Sequence, residues 1–247
     1  MELGIAGRRA AVAASSRGLG YAVAAALAAE GVHVAMCSRR REAIEAAAAS
    51  VGHDAVPIVA DVAHVDGATE FVHAAAAALG DIDILVTNAG GPPPGTFATV
   101  DVAQYPDAFD LNCLGAIAMC KETVPGMQQR KWGRVLAITS IAVRQPIATL
   151  ILSNTARAGL TAFLKTLARE VAADGVTVNS LQPGLHATER LKSLHGDGGD
   201  PAASIPARTL GEPADFGAFA AFLCSDHARF VTGAAIPVDG GAYAGLL

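Results

Sequence analysis

The chain has 247 residues, of which 52% are hydrophobic and 17% charged, with a formal net charge of -5. That is enough apolar material for the core of one α/β domain, and mild acidity with no Lys/Arg stripe interleaved with aromatics excludes a nucleic-acid surface. The apolar excess is mostly alanine and no run reads as a membrane span. The start, "MELGIAGRRA", lacks a cationic segment followed by a cleavable apolar one, so a cytoplasmic protein is expected. Cys37, Cys113, Cys120 and Cys224 show no C-x-x-C spacing, so neither a metal site nor a disulfide framework is expected.

Strand-like and helix-like runs alternate along the chain. "RAAVAA" (9–14) leads into the helix-forming "GYAVAAALAAEG", and "HVAMCS" (33–38) into "RREAIEAAAASVG". "AVPIVADV" (55–62) precedes a predicted helix over 66–79, and "IDILVTNAG" (82–90) a longer helical region over 101–129. "GRVLAITS" (133–140) precedes a helix over 150–173, "VTVNSLQP" (176–183) an irregular stretch, and "AAIPVDGG" closes the series. Seven strands with about six helices predict a single doubly wound α/β domain over 1–247, a seven-stranded parallel sheet covered on both faces. Within it "HGDGGDPAASIP" (195–206) has too much Gly, Asp and Pro for a regular element. It follows a strand's carboxyl end, where such sheets bind ligands, so a substrate lid over 185–210 is expected.

"AASSRGLG" (13–20) lies between a strand and a helix, the context in which a glycine turn cradles a diphosphate. Gly18 and Gly20 clear the approach to backbone N–H groups at the helix start, with Ser15, Ser16, Arg17 and Leu19 as the other contacts. At this turn the chain resembles the short-chain dehydrogenase/reductase superfamily, whose pattern is T-G-x-x-x-G-x-G. Ala13 and Ala14 stand for its Thr and first Gly. An alanine at 14 fits if its φ is negative.

Further motifs carry the resemblance over essentially the whole chain. Asp61 and Val62 correspond to the residues set against adenine, and Asn88, Ala89 and Gly90 to the N-A-G motif beside the cofactor. Asn112 falls at the family's active-site asparagine and Ser140 at its catalytic serine. Pro183 and Gly184 match its P-G motif, Thr188 the threonine that contacts the nicotinamide carboxamide, and "VTGAAIPVDGG" its C-terminal signature. The second strand ends in Ser38 and Arg39, where an acidic residue would select NAD(H); with Arg17 on the same side, NADP(H) is favoured.

The family's tyrosine follows its serine by about thirteen residues and its lysine by four more, positions held here by Ser153 and Arg157. A serine hydroxyl is far less acidic than a phenol, and a guanidinium is a poor proton source. Losing a positioned general acid costs on the order of 10²–10⁴ in rate. None of Tyr21, Tyr105 and Tyr243 is placed to substitute. His186, in the loop after Gly184, is a candidate proton donor because imidazole titrates near neutrality. Arg144, four residues beyond Ser140, is a candidate for binding a carboxylate or polarising a carbonyl.

The combination resembles a divergent branch near the 3-oxoacyl-carrier-protein reductases. It implies an NADP(H)-binding oxidoreductase acting on a small carbonyl or hydroxyl compound, assembled as a homo-tetramer or homo-dimer. The missing pair keeps two other readings open: a non-redox cyclase, dehydratase or isomerase with the dinucleotide structural or absent, and an inert subunit pairing with an active homologue.

Overall fold

The computed structural model describes residues 1–191 and 200–246. Seven parallel strands form one sheet in the order β3-β2-β1-β4-β5-β6-β7, namely β1 (Arg9–Val12), β2 (His33–Ser38), β3 (Val56–Val59), β4 (Ile84–Thr87), β5 (Gly133–Ile138), β6 (Val176–Pro183) and β7 (Ala235–Val238). Every residue of β4 and β5 is buried, as expected of central strands covered on both faces. Edge strand β3 alternates in exposure and carries Pro57, which an edge tolerates.

The helices are α1 (Gly18–Ala29), α2 (Arg41–Val51), α3 (Val65–Leu79), α4 (Tyr105–Phe109), α5 (Gly115–Gln129), α6 (Ile151–Val171) and α7 (Pro213–Leu223). One core joins Val23 and Leu27 of α1, Ile44 of α2 and Phe216 and Ala220 of α7 to the sheet. The opposite core uses Phe71 of α3, Met119 and Val124 of α5 and Leu160 and Leu164 of α6. Among the described residues no helix is long and apolar enough to cross a membrane.

Three differences from the sequence-based expectation matter. The helical region over 101–129 is not continuous: α4 passes through a π-helical turn, Asp110–Leu114, before α5. Such wide turns recur at functional sites, and this one carries Asn112. Secondly, the stretch beyond β6 contains α7, begun by Pro213 in its first turn with Asp215 close behind, both favourable at a helix start. Thirdly, the expected lid is tied at its base, where Ala187 N–H donates to Gly211 O at 2.9 Å and Gly211 N–H to Leu185 O at 3.0 Å. Residues 192–199 of that lid lie outside the described residues.

The chain reverses its winding between β1 and β4. At that switch point the loops beyond the carboxyl ends diverge and leave a crevice. The loops after β1, β4, β5 and β6 supply the candidate site.

Candidate active site

The turn after β1 is stitched to both neighbouring strands. Ser15 Oγ donates to Val12 O at 2.8 Å and accepts from Cys37 N–H at 3.2 Å. The Ser15 side chain is fully buried, and its hydroxyl joins β1 to β2. Asn88 Nδ2 donates to Ala14 O at 3.0 Å. A Cβ at Gly20 would stand 2.7 Å from both of those atoms, so only glycine admits this junction of turn, helix and β4 loop. Ser16 and Leu19 are half-buried beside it.

Ala14 has φ 46°, not the negative value expected of it. A side chain in this left-handed region costs roughly 1–2 kcal/mol. Part of that is offset by the larger chain entropy glycine loses on folding. Ala14→Gly is therefore expected to stabilise the protein by about 0.5–1 kcal/mol, read as a rise of roughly 1–4 °C in Tm; a fall in Tm would refute the strain.

Gly18 opens α1, which has neither a side-chain cap nor an acidic residue in its first turn. Its first N–H groups thus suit an anion. Across the crevice, Thr188 Cγ2 lies 3.9 Å from where a Gly18 Cβ would be, so the loop after β6 meets the glycine turn. Arg17 does not stand free beside the end of β2: its guanidinium pairs with Glu189. At the adenosine end Arg39 is exposed, Ser38 Oγ donates to Arg40 O at 3.1 Å, and Asp61 Oδ1 accepts from Ala63 N–H at 3.1 Å. Val62 is buried below them.

The inner end is organised by Arg157. Its side chain is only 8% exposed. Its Nε donates to Ser153 Oγ at 3.2 Å, Nη1 to Ile138 O and Thr139 O at 3.1 and 3.2 Å, and Nη2 to Gly90 O at 3.2 Å. One helical turn separates Ser153 from Arg157, placing both on the face of α6 that meets the ends of β4 and β5. Gly95 N–H, donating to Thr149 O at 2.7 Å, pins the start of α6 to the β4 loop. Burial, with the charge of Arg190 added, pushes the Arg157 guanidinium down to about 10. It therefore stays a cation at neutral pH.

Asn112 Nδ2 donates to the same Gly90 carbonyl at 2.8 Å. Ala89 and Asn88 join Asn112, Ile138 and Arg157 around a small cleft. Asn112 Oδ1 and Thr87 Oγ1 are buried there without a hydrogen-bond partner. Unsatisfied buried polar atoms at a cleft suit a polar ligand. Ser140, half-buried, accepts from Ala142 N–H at 3.1 Å and so caps a short 3-10 turn. Its own hydrogen is left available. The open first turn of α1, the crevice and these orphan atoms together fit a dinucleotide.

Arg144 and His186 do not line this cleft. Arg144 donates from Nε to Gln182 Oε1 at 2.7 Å and from Nη2 to Ala235 O at 2.6 Å, with its guanidinium over the Tyr243 ring. It braces β6 against β7 rather than presenting a cation to substrate. His186 is 5% exposed, packs edge-on against Phe216 and faces Gly184 O from Nδ1 at 3.2 Å. Burial lowers its pKa against the opposing Gly184 carbonyl and Glu212. It lines a separate cleft with Leu210 and Asp239. Pro183 ends β6, and Gly184 N–H continues the sheet by donating to Val238 O at 2.9 Å.

Glu189 and Arg190 were not among the sequence-based candidates. Their signal was an acidic and a basic residue directly after Thr188, at the mouth of the crevice.

A seven-stranded parallel sheet with a glycine turn at its switch point defines a dinucleotide-binding α/β protein. The family model described as enoyl-(acyl carrier protein) reductase matches residues 13–243. Dehydrogenase/reductase SDR family member 4 of Oryctolagus cuniculus is 35% identical over 96% of this chain and 94% of its own length. The 3-oxoacyl-[acyl-carrier-protein] reductase of Staphylococcus epidermidis is 31% identical over 94% of this chain and 97% of its own. The structure of L-sorbose reductase from Gluconobacter frateurii complexed with NADPH and L-sorbose superposes with a TM-score of 0.92 at 31% identity, covering 100% of both chains. The chain belongs to the short-chain dehydrogenase/reductase superfamily, a family of oxidoreductases.

Proposed function

We propose that the protein is an NADP(H)-dependent oxidoreductase acting on a small carbonyl or hydroxyl compound through a site without the usual tyrosine and lysine. The observation that carries the nucleotide preference is the end of β2. Ser38 is followed by exposed Arg39 with no acidic residue to repel a 2′-phosphate. A nicotinamide held beside Asn112 would supply hydride to a carbonyl carbon, leaving the negative charge to be managed on the carbonyl oxygen.

The chain's own residues then manage that oxygen. Ser153 Oγ accepts from Arg157 Nε, which leaves its O–H to donate outward and polarises it as a donor. Ser140, also with its hydrogen available, is the second donor. The pair stabilises the developing alkoxide by hydrogen bonding, and the proton that completes the alcohol comes from water. Arg157 holds the site in shape and stays protonated.

The test is calorimetric titration with NADPH and NADH, followed by a turnover screen of ketones and β-ketoesters at 340 nm. Expected are tighter binding of NADPH, measurable turnover, and a kcat/KM lowered on the order of 10²-fold in Ser153→Ala with NADPH affinity kept. NADPH binding without hydride transfer to any ketone would overturn the reading in favour of a non-redox reaction.

The same proposal includes assembly as a homo-dimer or homo-tetramer, in which exposed apolar side chains such as Phe97, Val102 and Phe230 would be covered by a second copy.

A further inference from the structure

The second cleft lies between the segments that follow β6 and β7. Leu185, His186, Leu210, Val238 and Asp239 line it, and no residue borders both this cleft and the one at Arg157. Its volume is about 90 Å³, room for a ligand of about four non-hydrogen atoms. His186 gives it its chemistry. The side chain is only 5% exposed, and Nδ1 stands 3.2 Å from Gly184 O. A carbonyl oxygen only accepts, so Nδ1 carries the proton and Nε2 presents a lone pair. Among the described residues Nε2 has no hydrogen-bond partner. Burial lowers the pKa of the imidazole, which keeps that lone pair in place at neutral pH. Gly211 is fitted to the ring. A Cβ there would stand 2.6 Å from both Nε2 and Cδ2, and Gly211 has no positive φ that would itself ask for glycine.

Charge narrows the ligand further. Asp239 accepts from Gly241 N–H at 3.0 Å and from Tyr243 N–H at 2.8 Å, and Glu212 acts on the same imidazole. Among the described residues neither carboxylate is in an ion pair. Arg208, next in sequence to the lining residues Ala207 and Thr209, donates to Ala203 O at 2.5 Å and does not line the cleft. An anion is therefore disfavoured. A plain hydrocarbon would strand Nε2 away from water. Among the described residues no group of three His, Cys, Asp or Glu could hold a metal ion. What answers an acceptor in a negative field is a head made only of donors, and an ammonium is such a head.

We propose that this second cleft binds a small primary alkylammonium, its head donating to His186 Nε2 in the field of Asp239 and its carbons lying against Leu185, Leu210 and Val238. Such a ligand touches both chain segments that meet at the bridge between His186 and Gly211. It thereby braces the base of the loop over 185–210. Because the two clefts share no lining residue, the proposal does not depend on the oxidoreductase reading.

The probes are propylamine, a cation at neutral pH, with propanol and propionate as its neutral and anionic counterparts. Each is titrated into the nitrogen-15-labelled full chain while the imidazole nitrogens are followed by NMR, the His186 signals being those lost in His186→Gln. Propylammonium is expected to move the Nε2 signal with a Kd on the order of 1 mM or tighter. Propanol is expected to bind about tenfold more weakly, the difference between a charged and a neutral donor, and propionate to leave the signal unmoved. Asp239→Asn keeps an oxygen for the backbone N–H groups and is expected to bring ammonium and alcohol within about threefold of each other. Leu210→Trp fills the cleft and leaves both polar groups in place, so it is expected to abolish binding; its Tm shows whether the fold is kept. An Nε2 signal that propylammonium leaves unmoved overturns the proposal. So does equal binding of propanol, or a preference for the cation that survives Asp239→Asn.

Discussion

Arg39→Asp is expected to reverse the nucleotide preference, lowering kcat/KM with NADPH relative to NADH on the order of 10²-fold. Two effects of the same sign combine. The substitution removes a charge-assisted contact to the 2′-phosphate, among the stronger hydrogen bonds available to a side chain. It also installs a carboxylate where related folds use one to hold the free ribose hydroxyls and repel the phosphate. Because Arg39 is exposed, salt screens both effects and the shift is expected to shrink as ionic strength rises past the point where the Debye length is about 10 Å. The measurement is steady-state kinetics with both nucleotides at low and high salt. An unchanged NADPH to NADH ratio would place the adenosine phosphate elsewhere.

The fold was readable from the sequence because its signals are local. β2 and β6 span the residues that their apolar runs suggested, and the order of alternating elements was enough for a parallel sheet. Helix α7 was harder: its start signal, Pro213 with Asp215, follows a Gly- and Pro-rich stretch that reads as irregular. The site divides in the same way. Residue type and spacing bring Ser153 and Arg157 to one helix face, but cannot show that the guanidinium spends its donors on main-chain carbonyls of β5 and the β4 loop. His186 and Arg144 sit in loops beside the cleft by sequence. Their directions are set by distant partners, Phe216 on α7 and Ala235 on β7, which no local pattern contains. Ala14 is the clearest limit, because a residue's φ is imposed by the turn and not by its name.

Arg157→Met is expected to cost stability and activity together. Four donated bonds, each worth about 1.5–3 kcal/mol when the donor is charged, are lost. Against that stands relief of the burial that pushes the guanidinium down to about 10, worth about 3 kcal/mol at roughly 1.4 kcal/mol per pKa unit. The bonds outweigh the burial, leaving at the lower end of that range a net loss of about 3 kcal/mol and a fall of roughly 6–12 °C in Tm. No carboxylate is stranded by the change, so the loss stays below that of a broken buried ion pair. Arg157→Lys is expected to fall between, because one ammonium with three donors cannot span Ser153, Ile138, Thr139 and Gly90 at once. Activity is expected to fall further than stability in both variants, since Ser153 loses the contact that directs its hydroxyl. Chemical denaturation and kcat measured on the same preparations separate the two effects. If Arg157→Met unfolds like wild type, the guanidinium does not tie β4 to β5. If it unfolds early yet keeps full kcat, Ser153 is oriented by something other than Arg157.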